Sequence, residues 1–358
     1  MSDTPLGAFI KGLIRQEGPI SLARYMALAL GHPQYGYYMT RDPLGARGDF
    51  TTAPEISQMF GELIGLWAAS AWALLGSPPG VLLVELGPGR GTLMADALRA
   101  IAKAAPAFRA ALSVHLVETS PVLREKQATR LASERVAWHE RLDTLPEAPL
   151  IVIANEFFDA LPIDQLVYAD GAWRERQVGL EGDKLAFGLS PPLGVAEARQ
   201  GLPEGTVLEV AGAGLAVLKS LALRLNTNAG TALIIDYGPD RLGFGDTLQA
   251  MAGHGFVDPL AEPGEADITA HVAFEAMADA ALKEGLNVDF LASQADFLEG
   301  LGIGMLAANL RQRATPLQAE AVTAALERLT DRSERGMGSL FKVLSLSGRP
   351  QARMSAVP

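Results

Sequence analysis

The stretch Val84-Glu85-Leu86-Gly87-Pro88-Gly89-Arg90-Gly91-Thr92-Leu93 decides the fold: an apolar strand runs into a glycine-rich bend and then directly into a helix. Glycine lets the backbone turn sharply and approach a ligand closely, and the free N–H groups at the helix start face that ligand. A dinucleotide loop reads G-x-G-x-x-G. Here the reading is E-x-G-x-G-x-G, with Thr92 where the third dinucleotide glycine would fall. The pattern favours S-adenosylmethionine over NAD, with Glu85, Gly87, Gly89, Gly91, Thr92 and Leu93 as candidate cofactor contacts. Taken alone, a glycine triplet also reads as a plain turn.

Outward from this stretch, strands and helices alternate. Apolar segments at 81–86, 113–118, 150–154 and 232–236 read as strands, with helices at 92–104 and 121–133 between them. That is the pattern of a parallel sheet covered on both faces. A short strand at 135–139 and a closing strand within 338–347 are expected to join. Strands at 165–168, 173–180 and 184–189, joined by Asp170-Gly171 and Glu181-Gly182-Asp183 turns, read as an antiparallel insertion. The predicted fold is therefore α/β: a Rossmann-like core over 79–164 and 200–358, with an antiparallel β insertion at 165–199. A helical insertion is expected at about 270–330, and a helical, cofactor-covering segment over 1–78, with helices at 5–17 and 21–30.

Further polar groups gather at the predicted strand ends. The second strand closes on Val117-Glu118-Thr119-Ser120-Pro121. A carboxylate at that edge can accept both hydroxyls of a ribose, with Ser120 beside it; the alternative is that Glu118 only caps the next helix. The strand at 150–154 exits into Asn155-Glu156-Phe157-Phe158-Asp159-Ala160-Leu161-Pro162. Its three polar side chains alternating with aromatics suggest a reaction site, against the simpler reading of a capped strand end with solvated acids. Thr52 and Glu55 have capping-box spacing with Pro54 in the first turn, so one helix is expected over 53–75. Asp49, Thr52 and Glu55 could instead close over the cofactor. Asp236-Tyr237-Gly238 either lines the substrate cleft or ends its strand.

Composition narrows the field. A formal net charge of −11 speaks against a nucleic-acid partner. The absence of cysteine removes disulfides, thiolate metal sites and thiol nucleophiles. His254, Asp267 and His271 lack a compact ligand spacing, so no metal is expected. Residues 63–84 carry no charge, but Gly76-Ser77-Pro78-Pro79-Gly80 breaks the run before it reaches a membrane-spanning length. Residues 1–20 mix Asp3, Lys11, Arg15 and Glu17 among apolar positions, unlike a secretory or transit sequence. The expectation is a soluble, cytoplasmic protein.

With these residues in hand, the chain resembles the MidA family of methyltransferases, which includes a mitochondrial complex I assembly enzyme. The resemblance rests on Gly36-Tyr37-Tyr38, Thr52-Ala53-Pro54-Glu55-Ile56-Ser57 with Phe60-Gly61-Glu62, and Glu85-Leu86-Gly87-Pro88-Gly89-Arg90-Gly91. It continues through Asn155 to Pro162, Ile235-Asp236-Tyr237-Gly238, Asp267-Ile268-Thr269-Ala270-His271-Val272 and Gly338-Ser339-Leu340-Phe341-Lys342-Val343. Ser339 stands where the family more often has glutamate. The resemblance implies a seven-stranded sheet, S-adenosylmethionine as cofactor, and methylation of a protein arginine on a core subunit of respiratory complex I. A guanidinium stays protonated, so such an enzyme needs carboxylates that grip and orient it. Glu156 and Asp159 are the candidates for that fork, with Asn155 fixing the cofactor or the attacking nitrogen. Two other readings compete: methylation of a small molecule or another amine, and a non-catalytic assembly chaperone that keeps the fold.

Overall fold

The structure is a computed structural model that describes residues 3–41, 52–194, 202–239 and 243–348. Seven strands form the central sheet: β1 (Val81–Leu86), β2 (Leu112–Val117), β3 (Val136–His139), β4 (Leu150–Asn155), β5 (Gly230–Tyr237), β6 (Leu286–Ser293) and β7 (Phe341–Gly348). They lie in the order 3-2-1-4-5-7-6, all parallel except β7, which runs antiparallel to both neighbours. Strand order reverses between β1 and β4. Open α/β sheets hold their ligands in the crevice at such a reversal, beyond the carboxyl ends of the strands.

Burial on both faces explains the unbroken apolar runs of β1 and β4. Val81, Leu83, Ile151 and Ile153 point into one core, and Leu82, Val84, Val152 and Ala154 into the other. Among the described residues, ten longer helices are numbered in chain order. Two open the chain, α1 (Pro5–Glu17) and α2 (Leu22–Gly31). The next three are α3 (Gln58–Leu74), α4 (Thr92–Ala104) and α5 (Pro121–Arg130), followed by α6 (Gly212–Asn228) and α7 (Phe274–Lys283). The last three are α8 (Gln294–Gly300), α9 (Ile303–Arg311) and α10 (Pro316–Thr330). Helices α3 and α4 contribute to the first core, and α6 and α7 to the second. Gly65 lets α3 lie against α4, because a Cβ there would stand 2.6 Å from the Ala97 carbonyl oxygen. A third core joins α1 and α2 to the antiparallel sheet through Ile20, Tyr25, Ile163 and Val178.

Three expectations are corrected. The predicted helix over 53–75 is two helices, Ala53–Ile56 and α3. Between them Ser57 is extended, and its Oγ caps α3 by accepting the Met59 N–H at 3.2 Å. Thr52 makes no side-chain cap, so the capping-box spacing did not produce a capping box. Second, the mostly helical region expected at 270–330 also carries β6, a strand of the central sheet, and α8 to α10 with the short helix Met337–Leu340 fill the gap before β7. As an edge strand paired only with β7, β6 leaves alternate residues outside the core, which weakens its apolar signal. Third, the antiparallel sheet reaches beyond 165–199. Val207–Val210 pairs with Asp164–Ala169, and Ile20–Ser21 pairs with Ala172–Glu181. Among the described residues, no helix is long and apolar enough to cross a membrane.

Candidate active site

A cavity of about 350 Å³ opens at the carboxyl ends of β1, β2 and β4. Its floor is the glycine bend. Gly87 and Gly89 hold φ of 59° and 53°, a region costly for residues with a Cβ. A Cβ on Gly87 would also meet the Phe157 ring at 2.9 Å, so this glycine is needed twice over. Thr92 and Leu93 line the cavity as expected. Gly91 instead caps α4 in the left-handed conformation, backed by Gln127 and Leu131.

Two carboxylates line the β1 and β2 side of the cavity. Glu85 is almost fully buried, its Oε2 has no hydrogen-bond partner, and burial beside Glu118 pushes its carboxyl up to about 8. Glu118 accepts the Ser120 N–H at 2.8 Å and the Gln127 amide at 3.1 Å. Burial raises its pKa, and these donors pull the other way. Gln127 also donates to the Gly89 carbonyl at 2.8 Å and accepts the Trp138 indole N–H at 2.9 Å, tying Glu118 to the glycine bend. Ser120 lies behind the wall, capping α5 through the Leu123 N–H and donating to the Tyr38 carbonyl.

The opposite wall is the exit of β4. Glu156 has φ 49°, unusual for a residue with a side chain, and its N–H is anchored on the Ile235 carbonyl at 2.9 Å. Its Oε1 accepts the Ala53 N–H at 3.2 Å and the Asn155 amide at 3.3 Å. Burial, reinforced by Asp159, pushes the Glu156 carboxyl up to about 7. Burial also raises Asp159 to about 6, against a hydrogen bond from the Tyr237 hydroxyl. Asn155 Oδ1 and Asp159 Oδ1 are buried without a partner.

Of the remaining predicted residues, Thr52, Glu55 and Tyr237 line the cavity. Glu55 accepts the Thr92 hydroxyl and lies 3.8 Å from Arg90, so its side chain is spent on the site rather than on a helix cap. Asp236 is a correction: it is fully buried and does not line the cleft, and its carboxylate accepts backbone N–H groups instead. Asp49 lies outside the described residues. Sequence reasoning missed Tyr38, whose hydroxyl donates to both oxygens of Asp267 at 2.8 and 2.9 Å, both residues lining the cavity. Asp267, weighed above with His254 and His271, thus holds a tyrosine, while His271 packs edge-on against Tyr237 at 5.4 Å.

Three buried acceptors without partners would each cost about 1–3 kcal/mol if nothing met them. Among the polar groups of S-adenosylmethionine, an ammonium, two ribose hydroxyls and a sulfonium are donors and cations that fit such a lining. A glycine bend after the first strand, an acid after the second and a crevice at the reversal between β1 and β4 define a Rossmann-like methyltransferase. Comparison with known proteins agrees. A family model described as "Putative S-adenosyl-L-methionine-dependent methyltransferase" matches residues 63–291, and the chain belongs to that family. S-adenosylmethionine is its cofactor.

Named relatives extend the comparison. The chain is 37% identical to the Drosophila melanogaster homolog of the mitochondrial protein arginine methyltransferase NDUFAF7, over 94% of this chain and 83% of that protein. It is 40% identical to the Mus musculus NDUFAF7 protein, over 76% of this chain and 68% of the relative. A crystal structure from Burkholderia thailandensis bound to S-adenosyl-homocysteine aligns with a TM-score of 0.81 at 30% identity, covering 96% of this chain and 91% of that one. These curated relatives are mitochondrial by name, which overturns the cytoplasmic location expected from residues 1–20.

Proposed function

We propose that this methyltransferase acts on an arginine of a protein substrate, with a core subunit of respiratory complex I as the target that the family resemblance implies. The observation that carries the reading is the pair of buried carboxylates, Glu156 and Asp159, on the wall facing the glycine bend. Burial makes both costly to ionise, and a permanently charged guanidinium is the side chain suited to repay that cost. The relatives named protein arginine methyltransferases support the same substrate class.

In this reading Glu85 holds the cofactor's ammonium and Glu118 its ribose, over the backbone of Gly87 and Gly89. When bound, S-adenosylmethionine supplies an electrophilic methyl group on a sulfonium. The chain's own work is alignment, which accounts for much of the rate in an in-line transfer. Glu156 and Asp159 fork the guanidinium, and Asn155 Oδ1 accepts from it or from the cofactor. Methylation releases one proton from the nitrogen, and Glu156, poised at about 7, takes it at a carboxylate oxygen. Thr52, Glu55 and Tyr38 cover the site from the N-terminal segment and exclude water.

The test is direct. Purified protein is incubated with methyl-labelled cofactor and cell lysate, and the label is located by mass spectrometry. Label on arginine of a protein is the expected result. Label confined to metabolites, or to other residue types, would overturn the arginine reading.

A further inference from the structure

Asp236, the penultimate residue of β5, sits next to the exit of β4 and does not line the cavity. Its Oδ2 accepts three consecutive backbone N–H groups, from Phe157 at 3.2 Å, Phe158 at 2.9 Å and Asp159 at 3.2 Å, while Oδ1 accepts the Tyr237 N–H at 2.9 Å. These donors follow directly on Glu156, the residue with φ 49°. A carboxylate is an acceptor with room for several donors, so one side chain can gather a whole turn. Left without it, three buried N–H groups would have to seek other partners, and the left-handed residue would be free to relax.

From this geometry we infer that Asp236 is a positioning residue for methyl transfer: it clamps the turn 157–159 so that Glu156 and Asp159 stay aimed into the cavity. The inference rests on the roles proposed for Glu156 and Asp159. Burial and the neighbouring Asp159 raise the Asp236 carboxyl's own pKa, a strain that a purely apolar side chain here would avoid. Across the sheet Lys342 stands in register with Asp236, but its ammonium donates to the Ser339 carbonyl. The four donors to Asp236 named above are all backbone N–H groups.

The experiment compares Asp236→Asn and Asp236→Ala in the full chain, alone and combined with Glu156→Gln. An asparagine oxygen can still accept from the turn, but its amide opposes the Tyr237 N–H; alanine accepts nothing. The expected result is a kcat loss of about 10-fold for D236N and about 100-fold for D236A, with KM and S-adenosylhomocysteine affinity within about threefold of the parent. In the E156Q background D236N should cost less than about threefold, because residues acting through one another are not additive. Calorimetry gives the affinity, and thermal melting confirms the fold; if D236A fails to fold, D236N carries the test. The inference is overturned if D236N matches the parent, if its loss multiplies in full with that of E156Q, or if cofactor affinity falls in step with kcat. All variants are scored on whatever substrate the parent labels. Label on something other than arginine ends the guanidinium roles proposed above, while the D236N and E156Q comparison still decides whether Asp236 acts through Glu156.

Discussion

Glu55 and Thr92, 37 residues apart, share a hydrogen bond that fastens the N-terminal segment to the first turn after the glycine bend. Arg90, at 3.8 Å from the same carboxylate, adds an ion pair on the other side. The cavity wall is therefore built from two parts of the chain at once. Glu55→Ala should weaken S-adenosylmethionine binding by about tenfold, the value of one charge-assisted hydrogen bond. Isothermal titration of the variant measures this, and unchanged affinity would remove Glu55 from the cofactor surface.

Glu156 sets a pH dependence. With its carboxyl held near 7 mainly by burial, it is protonated below that value and cannot accept a proton. Turnover should therefore rise with pH through about 7. Glu156→Gln should lose on the order of 100- to 1,000-fold in kcat, as removal of a general base does, and abolish that rise. An initial-rate profile from about pH 5.5 to 8.5 tests this; the same rise in E156Q would assign it to another group.

Glu85 links binding to stability. Its folded pKa of about 8 lies above the unfolded value of 4.5, so the folded state holds the extra proton between those pH values. Stability falls as pH rises through that window, because the native state binds more protons than the unfolded one. Glu85→Gln removes the cost, on the order of a few kcal/mol above pH 8. The variant should melt several degrees higher than the parent at alkaline pH, match it near pH 4.5, and bind S-adenosylmethionine more weakly. Melting curves across pH decide it: a variant no more stable at high pH would mean that Glu85 is not paying this penalty.

The parts legible in sequence were those whose chemistry is local. The bend 87–91 follows its own strand and opens its own helix, and α1 and α4 fall at 5–17 and 92–104 as the sequence predicts. Glu118, Asn155, Glu156 and Asp159 could be read because strand ends in a parallel sheet converge. Less visible were contacts made across the chain. Tyr38 meets Asp267 from 229 residues away, and Gln127 reaches Gly89 from a helix whose own pattern is unremarkable. Spacing alone could not distinguish a capping box at Thr52 and Glu55 from a side chain drawn off to Thr92. Asp236 was placed at the right strand end with the wrong task, because its donors come from a turn 77 to 79 residues earlier.

The left-handed backbone at Glu156 sets two aims against each other. Side chains larger than asparagine are uneasy at φ 49°, and holding one there costs about 1–3 kcal/mol. A library randomised at this codon and sorted only for survival in heat should drift to glycine or asparagine, whose backbones accept that angle. Sorted for turnover, the same library should return to the acid, giving up hardiness for work.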